Sequence, residues 1–124
     1  MILADTSIWV DHLRSKGDPH LIALLQQNAV WIHPWIVGEI ACGYLAHRAT
    51  VLRELQKLPQ ISVARDHEVL FLIERHRLMG RGIGYIDAHL LTAAAAQGVR
   101  LWTRDKRLLT VAAGLRILHS PPLS

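Results

Sequence analysis

The chain opens with Met1-Ile2-Leu3-Ala4-Asp5-Thr6-Ser7-Ile8-Trp9, and this stretch predicts the first strand and the start of the first helix. Ile2-Leu3-Ala4 is a short apolar run that stops at an acid, which predicts a strand covered on both faces, as in a parallel sheet. Thr6 or Ser7 can cap a helix that begins immediately afterwards. A buried strand followed by a capped helix predicts an α/β domain.

The same alternation of short apolar runs and longer periodic segments continues along the chain. Further strands are predicted at 30–33, 61–63, 99–102 and 116–118. Further helices are predicted at about 19–28, 34–45, 48–58, 66–79, 85–96 and 104–113, with a mobile glycine-rich loop at 80–84. Strands that alternate with helices imply right-handed crossovers, and hence a three-layer α/β domain built on a parallel sheet.

Length and composition restrict the class of protein. The 124 residues favour one domain over 1–124, and 51% hydrophobic with 19% charged residues argues against disorder. The net charge of +4 is compatible with polyanion binding without being specific to it. The opening has no signal-peptide pattern and no apolar run approaches the ~20 residues of a membrane span, so a cytoplasmic protein without membrane contact is expected.

The one cysteine, Cys42, stands in the apolar run Ile40-Ala41-Cys42-Gly43. A single cysteine forms no internal disulfide, so the fold does not depend on an oxidising compartment. Cys42 is therefore expected to be a small buried hydrophobic side chain.

Four of the ten acids stand where acids are unusual. Asp5 and Asp105 follow predicted strands, and the carboxyl ends of parallel strands form the edge at which such sheets bind ligands. Glu39 and Asp87 lie inside apolar segments, in the early turns of helices that begin near the same edge. We therefore predict that the four carboxylates converge.

Such a cluster needs a cation, because two unit charges ~4 Å apart repel by about 4 kcal/mol at an effective dielectric constant near 20. The chain has no Cys or His set at zinc spacing, whereas carboxylates alone suit Mg²⁺ or Mn²⁺. These ions activate water and bind phosphate oxygens. Ordinary structural roles remain open: a helix cap for Asp5, an arginine partner for Glu39, the helix dipole for Asp87, and a cap or ion pair for Asp105.

Around the four acids, four motifs occur in one order. They are Ala4-Asp5-Thr6-Ser7 after the first strand, Glu39-Ile40-Ala41-Cys42-Gly43, Asp87-Ala88-His89-Leu90-Leu91-Thr92-Ala93-Ala94, and Leu101-Trp102-Thr103-Arg104-Asp105. In this order and spacing they resemble the motifs of PIN-domain ribonucleases, in particular the VapC toxins of bacterial and archaeal type II toxin–antitoxin pairs.

The resemblance implies a PIN-like domain whose five parallel strands have the order 3-2-1-4-5. It also implies a Mg²⁺- or Mn²⁺-dependent endoribonuclease that cuts RNA, typically tRNA or rRNA. Asp5, Asp87 and Asp105 would be direct metal ligands, and Glu39 would act through water or orient the nucleophile.

Support for these ligands is expected from neighbouring hydroxyl groups, although a helix cap is an equal alternative for each. The candidates are Thr6, Ser7 and Thr103. The implied partners are a VapB-type antitoxin and a second copy of the chain. The antitoxin would cover the first two helices and the helix at 48–58, and insert a basic residue toward the acids. Ordinary core packing explains the same apolar residues.

Other residues that could act on RNA have structural alternatives. His12, His33 and His89 are expected to be structural, and Trp31 and Trp102 are expected in the core. For Trp9 and Trp35, core packing and base stacking remain open.

Two functions of different classes follow. The first is the metal-dependent endoribonuclease, and the second is a non-catalytic RNA- or protein-binding domain of the same fold. The presence of all four acids favours the first. A haloacid-dehalogenase-type phosphatase is disfavoured because it needs a second Asp two residues after Asp5, where Ser7 stands.

Overall fold

A computed structural model describes residues 1–122 of the chain. Within this range three parallel strands form one sheet with the order β2-β1-β3. The strands are β1 (Ile2–Ala4), β2 (Val30–Trp31) and β3 (Arg100–Trp102). The predicted α/β fold with a parallel sheet is confirmed, and β1 lies at its centre.

Seven helices connect and cover these strands within the described range. They are α1 (Thr6–Arg14), α2 (Pro19–Gln26), α3 (Pro34–Ala41), α4 (Arg48–Gln56), α5 (Asp66–His76), α6 (Tyr85–Gln97) and α7 (Lys106–Gly114). The residues before α1, α2, α3 and α7 cap them by accepting a backbone N–H with their side chains. Helices α2 and α3 therefore begin where the sequence predicts, whereas Asp5 caps α1 in place of the predicted Thr6 or Ser7, and α7 begins two residues after its predicted start.

The predicted five-strand sheet is not confirmed, because three strands are present in the described part of the chain. Each outer position holds a single parallel bridge, Ile32↔Gln60 beside β2 and Leu101↔Leu118 beside β3. Beyond the first bridge, the Gln97 side chain donates to the Ser62 carbonyl and accepts the Ser62 N–H, both at 3.0 Å. A side chain thus satisfies the backbone groups that a longer third strand would use.

Prolines also restrict both edges of the sheet. Pro59 precedes the first bridge and Pro121-Pro122 follow the second, and a proline lacks the N–H that a strand ladder requires. The strand predicted at 61–63 is absent, with one pairing just before it at Gln60, and the strand predicted at 116–118 is reduced to one pairing at Leu118.

The core lies between the sheet and the helices that pack on it. Leu3, Ile32 and Leu101 have no exposed surface, and α6 is buried from Ala88 through Ala94. Because α6 is buried on all sides over Ala88–Ala94, its partly exposed first turn is held in a defined position. Asp87 lies in that first turn.

The loop at 80–84 is held against the helix that follows the last strand. Gly82 has φ +80°, and a Cβ added there would lie 2.5 Å from Cδ of Arg107. The positive φ therefore favours glycine at this position, where the flexible side chain of Arg107 packs against it. The loop leads directly into α6.

The expectation for Cys42 is wrong, since this side chain is exposed. Helix α3 buries Ile36 and Ile40, and Cys42 follows Ile40 by two residues, about 200° around the helix axis.

Trp9 and Trp102 are buried, whereas Trp31 and Trp35 are half-buried. In residues 1–122 we find no helix with the length and apolar character that crossing a membrane demands.

Candidate functional site

Asp5 occupies the junction between the central strand and the first helix. Its backbone N–H donates to the Trp102 carbonyl at 2.9 Å, which continues the pairing of β1 with β3. Its carboxylate is 6% exposed and accepts hydrogen bonds from the hydroxyls of Ser7 and Thr103, both at 2.5 Å, and from the Ile8 N–H at 3.3 Å. The acid therefore caps α1 and is also held by two hydroxyl groups.

Both hydroxyls connect Asp5 to the loop between β3 and α7. Ser7 Oγ accepts the backbone N–H of Arg104 at 3.0 Å, and Thr103 Oγ1 accepts that of Asp105 at 3.1 Å. Each hydroxyl thus accepts a hydrogen bond from a backbone N–H and donates one to the Asp5 carboxylate. This double bridge places Asp5 and Asp105 at the same edge of the sheet, as the sequence predicts.

Asp105 and Glu39 contribute carboxylates from two further elements. Oδ1 of Asp105 caps α7 by accepting the N–H groups of Arg107 at 2.9 Å and Leu108 at 3.1 Å. Glu39 lies in the second turn of α3, where Oε1 accepts the hydroxyl of Thr6 at 2.7 Å. Each of the three candidate supporting hydroxyls therefore bonds to a candidate site acid.

Asp87 completes the group from the first turn of α6. Its Oδ2 accepts the Gly84 N–H at 3.1 Å. The pKa of Asp87 is raised, first by burial and then by the nearby charges of Asp105, Asp5 and Glu39. Because carboxylates repel one another appreciably only at short range, this shift indicates that the four acids share one region.

Three of the four acids also have the ordinary structural roles that the sequence leaves open. Asp5 and Asp105 are helix caps, and Asp87 bonds at the N-terminus of its helix. No ion pair within residues 1–122 includes any of the four acids, so the arginine partner considered for Glu39 is not formed. Capping brings these carboxylates only the partial positive charge of helix N-termini, and no cationic side chain pairs with them in the described residues.

Burial also raises the pKa of Asp5, against the lowering effect of its hydrogen bonds. A buried carboxylate beside other carboxylates is costly to ionise unless a cation neutralises it. The donor set consists of hard oxygen ligands only, which fits Mg²⁺ or Mn²⁺ and not zinc. No three His, Cys, Asp or Glu side chains in the described range are grouped to hold an ion. Mg²⁺ tolerates this because it retains several waters and needs only one or two carboxylates.

Sequence reasoning missed two arrangements beside the site. Arg104 bonds Oδ2 of Asp11 at 2.7 Å and Oδ2 of Asp18 at 2.6 Å, and is thus paired with two acids outside the cluster. Asp66 Oδ1 accepts the Tyr85 hydroxyl at 2.8 Å and lies 3.2 Å from Nε2 of His89. No local pattern marks these contacts, since each joins residues from different elements.

Two of the three histidines considered have hydrogen-bonding roles in local structure. His12 Nδ1 accepts the Asp18 N–H at 2.9 Å, and His33 Nδ1 accepts the Trp35 N–H at 3.1 Å as the cap of α3. Burial, followed by the neighbouring His89, lowers the pKa of His33 to about 4. His33 is thus a neutral structural group at physiological pH.

Comparison with known proteins identifies the family. The family model for the PIN domain matches residues 2–114, a span that includes all four acids. The chain belongs to the PIN-domain family. This PIN domain is also 48% identical over 109 residues to Ribonuclease VapC32 of Mycobacterium tuberculosis, a match that covers 87% of each chain.

Solved structures resemble this PIN domain in fold. A toxin–antitoxin complex from Klebsiella pneumoniae matches with a TM-score of 0.70 and 21% identity over 98% of both chains. PAE2754 from Pyrobaculum aerophilum matches with a TM-score of 0.62 and 18% identity, over 93% of this chain and 94% of that one. At these identities the likeness shows the fold alone.

Proposed function

We propose that this PIN domain is a Mg²⁺- or Mn²⁺-dependent endoribonuclease, the toxin of a type II toxin–antitoxin pair acting on cytoplasmic RNA. The observation that carries the proposal is the arrangement of the acids: the hydroxyls of Ser7 and Thr103 join Asp5 to the backbone of Arg104 and Asp105, and the nearby charges of Asp105, Asp5 and Glu39 help to raise the pKa of Asp87. Four carboxylates without a lysine or arginine partner in the described residues form a site that a divalent cation neutralises.

The residues divide into those that hold the metal and those that hold the ligands. Asp5, Asp87 and Asp105 are the candidate ligands, of which one or two would contact the ion directly and the rest through its waters, and Glu39 would act through a bound water or orient the attacking water. A divalent ion supplies the activated water and stabilises charge on the phosphate oxygens. Thr6, Ser7 and Thr103 keep two of the four carboxylates in position by hydrogen bonding.

RNA cleavage by the purified protein tests this proposal. We expect cleavage with Mg²⁺, none with EDTA, and recovery when Mg²⁺ or Mn²⁺ is restored. Asp5→Asn should reduce cleavage by more than about 100-fold, since loss of a supporting residue alone costs about 10- to 100-fold in metal sites. The control is Glu74→Gln, which neutralises an exposed acid on α5 outside the cluster. Full activity of Asp5→Asn, or cleavage that persists in EDTA, would refute the mechanism.

The same experiment separates the enzyme from a non-catalytic binding domain. A binder would retain RNA without producing fragments under any metal condition. For the substrate we propose tRNA or rRNA, as the family resemblance implies. Mapping the 5′ ends of RNA fragments that accumulate after expression of the protein, beside its Asp5→Asn variant, identifies which of the two is cut.

A groove of about 330 Å³ supports an antitoxin as partner. It lies where the sequence analysis expects one, between α1, the end of α2 and α4, and its apolar lining includes Leu13, Leu25 and Val51. VapC32 is named a ribonuclease, and the Klebsiella pneumoniae match is described as a toxin–antitoxin complex. We expect co-purification with a VapB-type antitoxin, and weaker co-purification for Val51→Asp. A homodimer is also proposed, and light scattering tests it.

A further inference from the structure

A second groove, of about 590 Å³, opens beside the acid cluster between α3 and the first turn of α6. It is bounded by Pro34, Trp35, Glu39, Cys42, Tyr85 and Ile86. Of the residues that line it, only Glu39 carries a formal charge. Because Glu39 also belongs to the acid cluster, the groove and the candidate catalytic site are continuous.

Two aromatic side chains of this groove are held in place by one buried histidine. The ring of Trp35 lies 4.1 Å from that of His89, and the ring of Tyr85 lies 4.8 Å from it at nearly a right angle. His89 is 1% exposed, and Asp66 holds both the Tyr85 hydroxyl and His89 Nε2. Trp35 and Tyr85 are therefore ordered before any ligand binds, which lowers the entropic cost of binding.

The chemistry of this groove suits a flat, uncharged ring. A phosphate would be repelled by Glu39, whereas a nucleobase has no formal charge and stacks on aromatic side chains. A chain of RNA whose phosphate lies at the acids has bases on both sides of that phosphate. A groove that begins at Glu39 is placed to receive one of them.

We infer that Trp35 and Tyr85 form a stacking subsite for one base of the RNA next to the phosphate held at the acid cluster. This inference rests on the proposed function, because it takes the occupant to be the substrate of that site. It assigns to Trp35 the base-stacking role that the sequence leaves open. It also gives His89 and Asp66 a positioning role, since they hold the rings and do not touch the RNA.

Cys42 provides a direct reporter, because it is the one cysteine of the chain and lines this groove. The probe is a single-stranded RNA 12-mer of mixed sequence, beside an abasic 12-mer with the same sugar–phosphate chain. The experiment uses the Asp5→Asn protein, which should leave the RNA uncut. We expect the base-bearing RNA to slow alkylation of Cys42 several-fold and the abasic RNA to leave the alkylation rate unchanged. Equal protection by both RNAs, or by neither, overturns the inference.

Variants of the two rings test the same point through kinetics. Trp35→Ala should raise KM for RNA by roughly 5- to 100-fold with little change in kcat, as expected for one lost base–aromatic stack. Trp35→Phe keeps a ring and should recover most of the affinity, which separates stacking from misfolding. The matched control, Phe71→Ala, removes a 64% exposed ring from α5 outside this groove and should leave KM unchanged.

The outcomes distinguish the subsite from the proposed function. Metal-dependent cleavage without protection of Cys42 overturns the subsite alone, whereas base-dependent protection without cleavage overturns the nuclease and keeps the subsite. If Trp35→Ala weakens the binding of an antitoxin and leaves KM for RNA unchanged, the groove is a protein-docking surface and the inference fails.

Discussion

The Thr103 hydroxyl donates a hydrogen bond of 2.5 Å to Oδ2 of Asp5, and so joins two residues that lie 98 positions apart in the chain. The same hydroxyl accepts the Asp105 N–H at 3.1 Å. One buried side chain therefore joins two acids that cap different helices.

We predict that Thr103→Val lowers kcat for RNA cleavage by about 10- to 100-fold, the usual cost of losing a residue that orients a metal ligand. Valine fills the same space, so the effect reports the lost hydrogen bonds. Thr103→Ser keeps the hydroxyl and should retain most of the activity. Single-turnover cleavage at saturating Mg²⁺ measures the difference, and equal activity of the two variants would contradict the role of the hydroxyl.

The cluster should also destabilise the metal-free protein. Asp87→Asn removes one of four repelling charges while Oδ1 of Asn can still accept the Gly84 N–H. We expect Tm in EDTA to rise by a few degrees, and the increase of Tm on adding Mg²⁺ to shrink. Thermal unfolding with and without Mg²⁺ measures both quantities. Glu74→Gln, on an exposed position of α5, should change neither. An unchanged response of Asp87→Asn to Mg²⁺ would exclude Asp87 as a ligand.

Arg104 joins two helices with one guanidinium, through Asp11 on α1 and Asp18 at the cap of α2. Arg104→Lys can bond only one of the two acids in this geometry, so we expect a loss of about 1 kcal/mol in the free energy of unfolding. The loss should diminish at high salt, because Arg104 and Asp11 are partly exposed. Urea unfolding at low and high salt tests this. Lys57→Gln, which breaks the exposed pair with Glu54, serves as the control and should have no measurable effect.

His33 should make stability depend on pH. The folded protein lowers its pKa from 6.5 to about 4, so the unfolded chain binds a proton more readily between these values. Stability is then full above pH ~6.5 and falls as the pH approaches 4, by up to about 3 kcal/mol. Urea unfolding between pH 4 and pH 7 measures the slope, that is, the change in the free energy of unfolding per pH unit.

The variant His33→Asn keeps a side-chain acceptor for the cap of α3 and does not titrate, so the slope in this range should decrease. His76→Asn changes an exposed histidine at the end of α5 and should leave the slope as it is. An identical slope in the wild-type protein and His33→Asn would assign the pH dependence to other groups.

Much of the fold could be predicted because its signals are local. Asp18-Pro19 and His33-Pro34 begin helices through a cap and a first-turn proline, and Gly98 ends α6 with φ +66°. The edges of the sheet could not be predicted, because Gln97 satisfies the backbone of Ser62 from another element. The exposure of Cys42 likewise depends on which face of α3 meets the core.

By itself the sequence determined that four acids end or interrupt apolar segments, and that parallel strands bring the acids after β1 and β3 to one edge. Only the tertiary structure decided which hydroxyl holds which carboxylate, and that His89 aligns Trp35 and Tyr85 beside Glu39. The reason is physical: strand order and helix caps depend on neighbouring residues, whereas hydrogen bonds and ring contacts between distant residues form only when packing brings their elements together.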